Sequence, residues 1–252
     1  MEVRSGVGSD PPGVRTPRRG YRGRHRAIRR TPLLVVVGLT LAIAIVVRSF
    51  FLEPFSIPSE SMQPGLQPGD RVLVTKFGPL RHFQRGDVVV FDGTSTFGAI
   101  RQPDGNGLGA LARRLTEFVA GRTGESDYVK RVVGVGGDRV RCCTSDGRLQ
   151  VNGTAVAEPY LYPGDVASRQ KFDVVVPAGR VWLMGDHRSR SADSRSHLAA
   201  PGGGTVAEGD VIGPVAVRIW PLNRIGGLDP APALRSVNDP VPDPPKASRA
   251  RT

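Results

Sequence analysis

The segment that most limits what this chain can fold into is Leu33 to Val47, fifteen consecutive residues without a charge. As a helix it spans roughly 22 Å, short of the roughly 30 Å hydrocarbon core of a bilayer, and continuation through Arg48-Ser49-Phe50-Phe51-Leu52 closes that gap. Arg48 would then snorkel to the interface while the phenylalanines stay in lipid. A buried core helix would carry one apolar face, and this run shows none. A cleaved secretory leader would be followed by a small-x-small site, and Arg48 to Pro54 offers none. The run therefore predicts one N-terminal transmembrane helix, residues 31–54.

The residues before it set the orientation. Met1 to Arg30 holds nine arginines against two acids, seven charges of the formal +12. It has too few apolar residues to offset the entropy of ordering and is predicted to be a disordered basic tail. Its place beside the apolar run favours a lipid-facing, topogenic role, and Tyr21 is its one aromatic, so base stacking on nucleic acid has little support. The tail is expected in the cytoplasm and everything after Leu52 outside it, as a single-pass cell-membrane protein with an extracytoplasmic domain. Residues 229–252 are Pro-rich, lack a core-forming pattern, and are predicted to be a second disordered tail.

Between these lies one globular region, 55–228, long enough for a single substantial core. Its pattern is strand-like. Arg71 to Phe77, Asp87 to Phe91, Tyr128 to Val135, Arg139 to Cys143, Leu149 to Val151, Phe172 to Val176, Val181 to Met184 and Val211 to Trp220 are short, β-branched runs. Turn pairs such as Gly137-Asp138, Asp146-Gly147 and Asn152-Gly153 separate them. The fold class is thus mainly β, with roughly eight or nine strands. Leu108 to Ala120 departs from this with apolar residues at helical spacing between Gly-rich flanks, so 98–124 is expected to be an inserted helix or loop.

Three polar elements carry candidate chemistry. In Pro58-Ser59-Glu60-Ser61-Met62-Gln63-Pro64, the prolines stiffen a turn that keeps two serines out of regular ladders. A serine hydroxyl is a weak nucleophile until a base takes its proton, and acyl transfer needs donors for the oxyanion, which the Ser61 N–H and the Ser59 hydroxyl could supply. Alone, such a turn reads as a solvated Ser-rich loop. Lys130 stands in a strand between Val129 and Arg131. Alone, it reads as an exposed strand lysine. To serve as a base its pKa must fall from about 10.4 to roughly 7–8, which desolvation or nearby positive charge can supply, with Arg131 adding a small push.

The third element is Gly185-Asp186-His187-Arg188-Ser189-Arg190-Ser191-Ala192-Asp193-Ser194-Arg195. Ser191 is a candidate to hydrogen-bond the lysine amine, and Asp193 with Arg195 to brace the loop. The other reading is a surface loop with scattered charges. His187 invites a Ser-His-Asp reading, but His25 is expected on the far side of the membrane and His82, His187 and His197 carry no helpful spacing. No His-Glu-x-x-His or spaced Cys cluster points to a metal. The adjacent Cys142 and Cys143 read either as two strand thiols on opposite faces or as a vicinal disulfide formed in an oxidising compartment.

In this order after an apolar anchor, the three elements resemble those of the bacterial type I signal peptidases, the Ser/Lys leader peptidases. Pro58 to Pro64 is similar to the family's nucleophile box. Gly69 to Val74 and Arg85 to Phe91 are similar to the strand boxes after it, Tyr128 to Val140 to its lysine box, and Gly185 to Arg188 with Ser191 to Arg195 to its last box. Three positions depart from the family pattern: Gly65 for a frequent threonine, Gly136 for a proline, and His187 for an asparagine. The resemblance implies a β-rich signal-peptidase-like catalytic core with an inserted smaller β domain at about 145–171.

It also implies a serine endopeptidase with Ser61 as nucleophile, Lys130 as general base, and Ser59 with Ser61 as the oxyanion hole. Ser191, Asp193 and Arg195 would be supports, and no cofactor or metal is expected. The implied partners are secretory preproteins with small-x-small cleavage sites, together with membrane lipid, and not nucleic acid. Phe50, Phe51, Phe55, Ile57 and Met62 are expected to hold the site in the lipid interface. Two other readings are a non-catalytic anchored β-domain that binds envelope partners and a self-cleaving Ser/Lys regulator.

Overall fold

The computed structural model describes residues 35–43, 51–76, 82–98 and 126–238. Eleven strands run β1 (Leu52–Ser56), β2 (Arg71–Thr75), β3 (Val88–Asp92), β4 (Asp127–Val135), β5 (Arg139–Cys142), β6 (Leu149–Val151), β7 (Thr154–Ala155), β8 (Phe172–Val175), β9 (Arg180–Met184), β10 (Val206–Ala207) and β11 (Val211–Trp220). They form a seven-stranded sheet of order β1-β2-β11-β3-β4-β9-β10 and a four-stranded sheet of order β7-β6-β5-β8. Every pairing among the described residues is antiparallel.

Burial patterns follow from position in the sheet. β2 alternates, with Val72 and Val74 inward, as a half-buried strand must. The run Val129 to Gly134 in β4 is buried on both faces because β3 and β9 flank it and core lies on each side. β11 bridges β2 and β3 by changing register between Val211 and Gly213 and again between Val215 and Val217. Gly213 sits so close to the Thr75 carbonyl that any side chain would collide with it. Pro214 follows, in an irregular stretch where a missing N–H is tolerated.

Several expectations need correction. Of the predicted anchor 31–54, residues 35–43 form a helix, while 31–34 and 44–50 lie outside the described residues. Residues 52–54 belong instead to edge strand β1, where Leu52, Glu53 and Pro54 pair with Thr75, Val74 and Leu73. No helix among the described residues is long and apolar enough to cross a membrane. Phe55, Ile57 and Met62 are not lipid-facing; each is 2% exposed, packed in one core cluster with Leu66, Val72, Val74, Val88, Val90 and Val129.

The predicted tail 229–252 starts with residues that pack. Ala231, Leu234 and Val237 are buried against the second sheet, with Leu234 on a short helix, Pro232–Arg235. The smaller sheet reaches beyond 145–171 on both sides, from β5 to β8. Cys142 and Cys143 are joined as a disulfide between adjacent residues. The tail 1–30, the insertion from 99 to 124 with its Leu108 to Ala120 helix, and residues 239–252 lie outside the described residues.

Candidate active site

The serines occupy a loop closed at its base by the strands it joins. Ser56 of β1 pairs with Arg71 of β2. Just above, the Ile57 N–H donates to the Asp70 carbonyl and the Gly69 N–H to the Ile57 carbonyl, both at 2.9 Å. Met62 and Leu66 drop from the loop into the core and pin it from beneath. Two internal bonds tighten it, Gln63 N–H to the Glu60 carbonyl at 3.0 Å and Leu66 N–H to the Met62 carbonyl at 2.9 Å. Ser61 is thereby held at a buried position and Ser59 at the exposed rim, their hydroxyl oxygens 3.2 Å apart.

Lys130 reaches this loop from the middle of β4. Its Nζ is hydrogen-bonded to Ser61 Oγ at 2.7 Å and donates to its neighbour's carbonyl, Val129 O, at 3.0 Å. The side chain is 3% exposed and the serine 5%. Burial lowers the lysine pKa from 10.5 to about 8; Asp193 and Asp186 act against that fall and Arg195 adds to it. The helping positive charge is thus Arg195 and not, as the sequence predicted, Arg131. An amine near 8 is partly neutral at physiological pH and can take a proton from the hydroxyl it touches.

Arg131 turns the other way. Its Nε and Nη2 donate to the two carboxylate oxygens of Asp186 at 2.8 and 2.7 Å, and its Nη1 donates to the carbonyls of Gly86 and Asp229. The guanidinium lies 4.2 Å over the Tyr160 ring. Burial works to lower the Arg131 pKa, but the Asp186 bonds and charge override it and raise it. Burial raises the Asp186 carboxyl, against Arg131 and Arg188. Because a guanidinium stays charged in proteins, the pair holds as an ion pair.

The loop after β9 packs over both. Gly185 passes between the Ser61 carbonyl and the Ser191 side chain, where any side chain would collide with both. The His187 N–H donates to the Ser61 carbonyl at 3.0 Å. Asp193 is fully buried and accepts from the Gly185 N–H at 3.0 Å; with Arg195 it forms a two-pronged ion pair at 2.9 and 2.8 Å. Burial would raise the Asp193 carboxyl, but the Arg195 bonds and charge hold it below the usual carboxylate range. Glu158 and Arg188 form a further buried ion pair, with Arg188 Nε donating to the Gly185 carbonyl at 2.9 Å.

The predicted site residues are therefore not equally engaged. Ser61, Lys130 and Ser59 converge at bonding distance, and Asp193 with Arg195 lies just behind them. Ser191 makes no hydrogen bond to Lys130: its hydroxyl is buried without a partner in bonding geometry. It does stand near enough to Asp193 to help keep that carboxylate ionised. His187 does not bond Ser61 Oγ; its ring Nδ1 lies 3.3 Å from the Glu60 carbonyl. Among the described residues no group of three His, Cys, Asp or Glu side chains is arranged to hold a metal ion. Sequence reasoning missed the Arg131–Asp186 pair and the role of Gly185. The one available signal was their presence inside the matched boxes.

Comparison with known proteins comes to bear on this arrangement. The profile of the family described as signal peptidase, peptidase S26, matches residues 30–220. A signal peptidase I of Mycobacterium tuberculosis is 36% identical over 243 residues, covering 84% of this chain and 76% of that protein. A probable signal peptidase I of Mycobacterium leprae is 35% identical over 224 residues, 77% of each chain. A solved signal peptidase I of Enterococcus faecalis aligns at a TM-score of 0.35 and 23% identity, covering 54% of this chain and 99% of that one.

Proposed function

The chain belongs to the signal peptidase S26 family, and from that membership we propose that it removes N-terminal signal peptides from secretory preproteins with Ser61 and Lys130 as its catalytic pair. One observation carries the residue assignment: a buried amine with a pKa lowered to about 8 lies 2.7 Å from the hydroxyl of a serine on a pinned loop.

The reaction runs as follows. Neutral Lys130 Nζ accepts the Ser61 proton as Oγ bonds to the scissile carbonyl carbon. The oxyanion rests on the Ser61 N–H and the Ser59 hydroxyl. The lysine ammonium gives its proton to the leaving amine as the C–N bond breaks, leaving an ester on Ser61. Water then gives a proton to Nζ, attacks the ester, and the serine recovers its proton. Asp193 and Arg195 fix the loop that walls in the amine, with Arg195 favouring its neutral form. The substrate is an extended segment presenting small side chains at alternating positions, as a strand does.

Membrane attachment through the apolar run is part of the reading. Since β1 begins at Leu52 and the Phe51 carbonyl accepts from the Lys76 N–H, the anchor would end before Phe51, and Leu33 to Phe50 as a helix would span roughly 27 Å. The arginines before the run support a cytoplasmic N-terminus and an extracytoplasmic catalytic domain. The test is incubation of the purified protein with a peptide or preprotein containing Ala-x-Ala. Wild type should cleave after the second alanine, while Ser61→Ala and Lys130→Ala, both folded, should not; turnover by either variant at the wild-type rate would end the assignment.

A further inference from the structure

The Glu60 carbonyl and the Ser61 N–H are the two ends of one planar peptide group, and this peptide is not among the cis bonds of the chain. In a trans peptide the two ends point in opposite directions, so whatever fastens the carbonyl aims the N–H. The Glu60 carbonyl has two partners. The Gln63 N–H donates to it at 3.0 Å and closes a local turn. His187 Nδ1 approaches it at 3.3 Å from the loop after β9, and donates when that nitrogen carries the proton. Among the described residues, the Ser61 N–H itself donates to no backbone carbonyl.

His187 is held in place for this contact. Its ring is buried and stacks on Tyr162 with centroids 3.9 Å apart and planes 11° from parallel. Its backbone N–H bonds the Ser61 carbonyl, and the Tyr162 N–H donates to the Asp186 carbonyl at 3.2 Å. An exposed Arg190–Glu60 pair at 3.2 Å also ties the two loops, with little energy of its own. The imidazole is thus clamped between an aromatic ring from the β7–β8 connection and the peptide that precedes the serine.

We propose that His187, braced by Tyr162, is a positioning residue that aims the Ser61 N–H at the developing oxyanion by holding the other end of its peptide group. This rests on the reading of Ser61 as nucleophile and oxyanion donor. His187 touches no reacting atom; it acts through the Glu60–Ser61 peptide. Its removal therefore costs transition-state stabilisation and leaves substrate binding nearly untouched. Asn at this position keeps an N–H donor close to where Nδ1 stands, whereas Ala keeps none.

The test measures kcat and KM on an Ala-x-Ala peptide for the full chain and for His187→Ala, His187→Asn and Tyr162→Ala, with melting temperatures alongside. His187→Ala should lower kcat roughly 10- to 100-fold with KM held within about twofold, less than deletion of an oxyanion donor. His187→Asn should recover most of that loss, and Tyr162→Ala should fall between. Affinity for a peptide aldehyde, which forms a tetrahedral adduct on serine, should weaken in parallel with kcat. If His187→Ala fails to fold, the Asn and Tyr162 variants carry the same comparison. An unchanged kcat in His187→Ala, a loss confined to KM, or an Asn variant as slow as Ala would overturn the proposal. Absence of cleavage by wild type would instead overturn the peptidase reading beneath it.

Discussion

Lys130 and Arg131 are neighbours on one strand, 3% and 2% exposed, and their pKa values move in opposite directions. Lys130 is given a hydroxyl and a carbonyl to bond, and its pKa falls to about 8. Arg131 is given both oxygens of a carboxylate and two carbonyls, and its pKa rises. Burial pushes both cations toward neutrality, so burial alone does not decide the outcome. The partner does: a direct carboxylate keeps a charge in the interior, and its absence releases one. The alternation of β4 sends one side chain to the serine loop and the other to the brace behind it.

The largest expected effect lies on the Lys130 side. Ser61→Ala or Lys130→Ala should each cut peptide cleavage by about 10⁴-fold or more, as loss of a nucleophile or its base does elsewhere. Either alone should cost nearly as much as both together, because the two act as a unit. Steady-state rates of the two single variants and the double variant check this, and a double variant markedly slower than either single one would argue against a coupled pair.

On the Arg131 side the expected loss is stability. Asp186→Ala leaves a buried guanidinium without its carboxylate, a change worth about 3–5 kcal/mol. Urea unfolding of the variant measures it. The opposite sign is expected one residue away. The Lys130 pKa is near 8 folded against 10.5 in the open chain, so the unfolded state binds more protons between those values and stability rises with pH across that window. Lys130→Met should therefore be more stable than wild type at pH 7, by up to about 3 kcal/mol less the two lost hydrogen bonds. The advantage should shrink as pH climbs from 8 toward 10.5. A variant that is less stable at pH 7 would mean that the folded chain does not disfavour the charged lysine, contrary to a lowered pKa.

How much of this was readable from the sequence differs by element. The β-branched runs β2 to β4 and β11 announce themselves because each carries several valines, and β9 because Val181 to Met184 is an unbroken apolar run after the turn at Pro177 to Gly179. β1 does not, since it contains Glu53 and Pro54 and forms only where β2 offers partners. The two-residue strands β7 and β10 exist only through their neighbours. Phe55, Ile57 and Met62 looked lipid-facing because they follow an apolar run; their burial depends on the serine loop folding back over β2, a tertiary fact. Leu234 and Val237 were hidden in a Pro-rich stretch whose core-forming role comes from the second sheet. Ser61 and Lys130 stood out only through the order of several motifs, since each motif alone reads as a solvated turn or an exposed lysine, and the 55-residue reach from Arg131 to Asp186 left no local trace.

A smaller effect concerns pH and rate. With a base near pKa 8, about one amine in ten is neutral at pH 7, so kcat/KM should rise nearly tenfold between pH 7 and a plateau above pH 8 to 9. A Lys130→Ala variant with residual turnover should lose that limb. A flat profile for wild type between pH 6 and 9 would contradict a lysine base.

The smallest expected effect isolates what burial adds to the Arg131–Asp186 geometry. Arg139 and Asp173 make the same two-pronged contact, with Nε and Nη2 each 2.8 Å from a carboxylate oxygen. Here the side chains are 63% and 40% exposed instead of 2% each. The contact distances match, while solvent exposure differs and Arg131 alone also bonds two carbonyls and lies over the Tyr160 ring. Water screens the exposed pair and rehydrates either partner when the other is removed, so no stranded charge results. Arg139→Ala should leave the melting temperature within error of wild type, and 1 M salt should not change that result. A clear loss at Arg139 would mean that pair geometry, and not the dryness around β4, governs the stability of these contacts. The contrast drawn between Lys130 and Arg131 would then need a cause other than what each is given to bond in the interior.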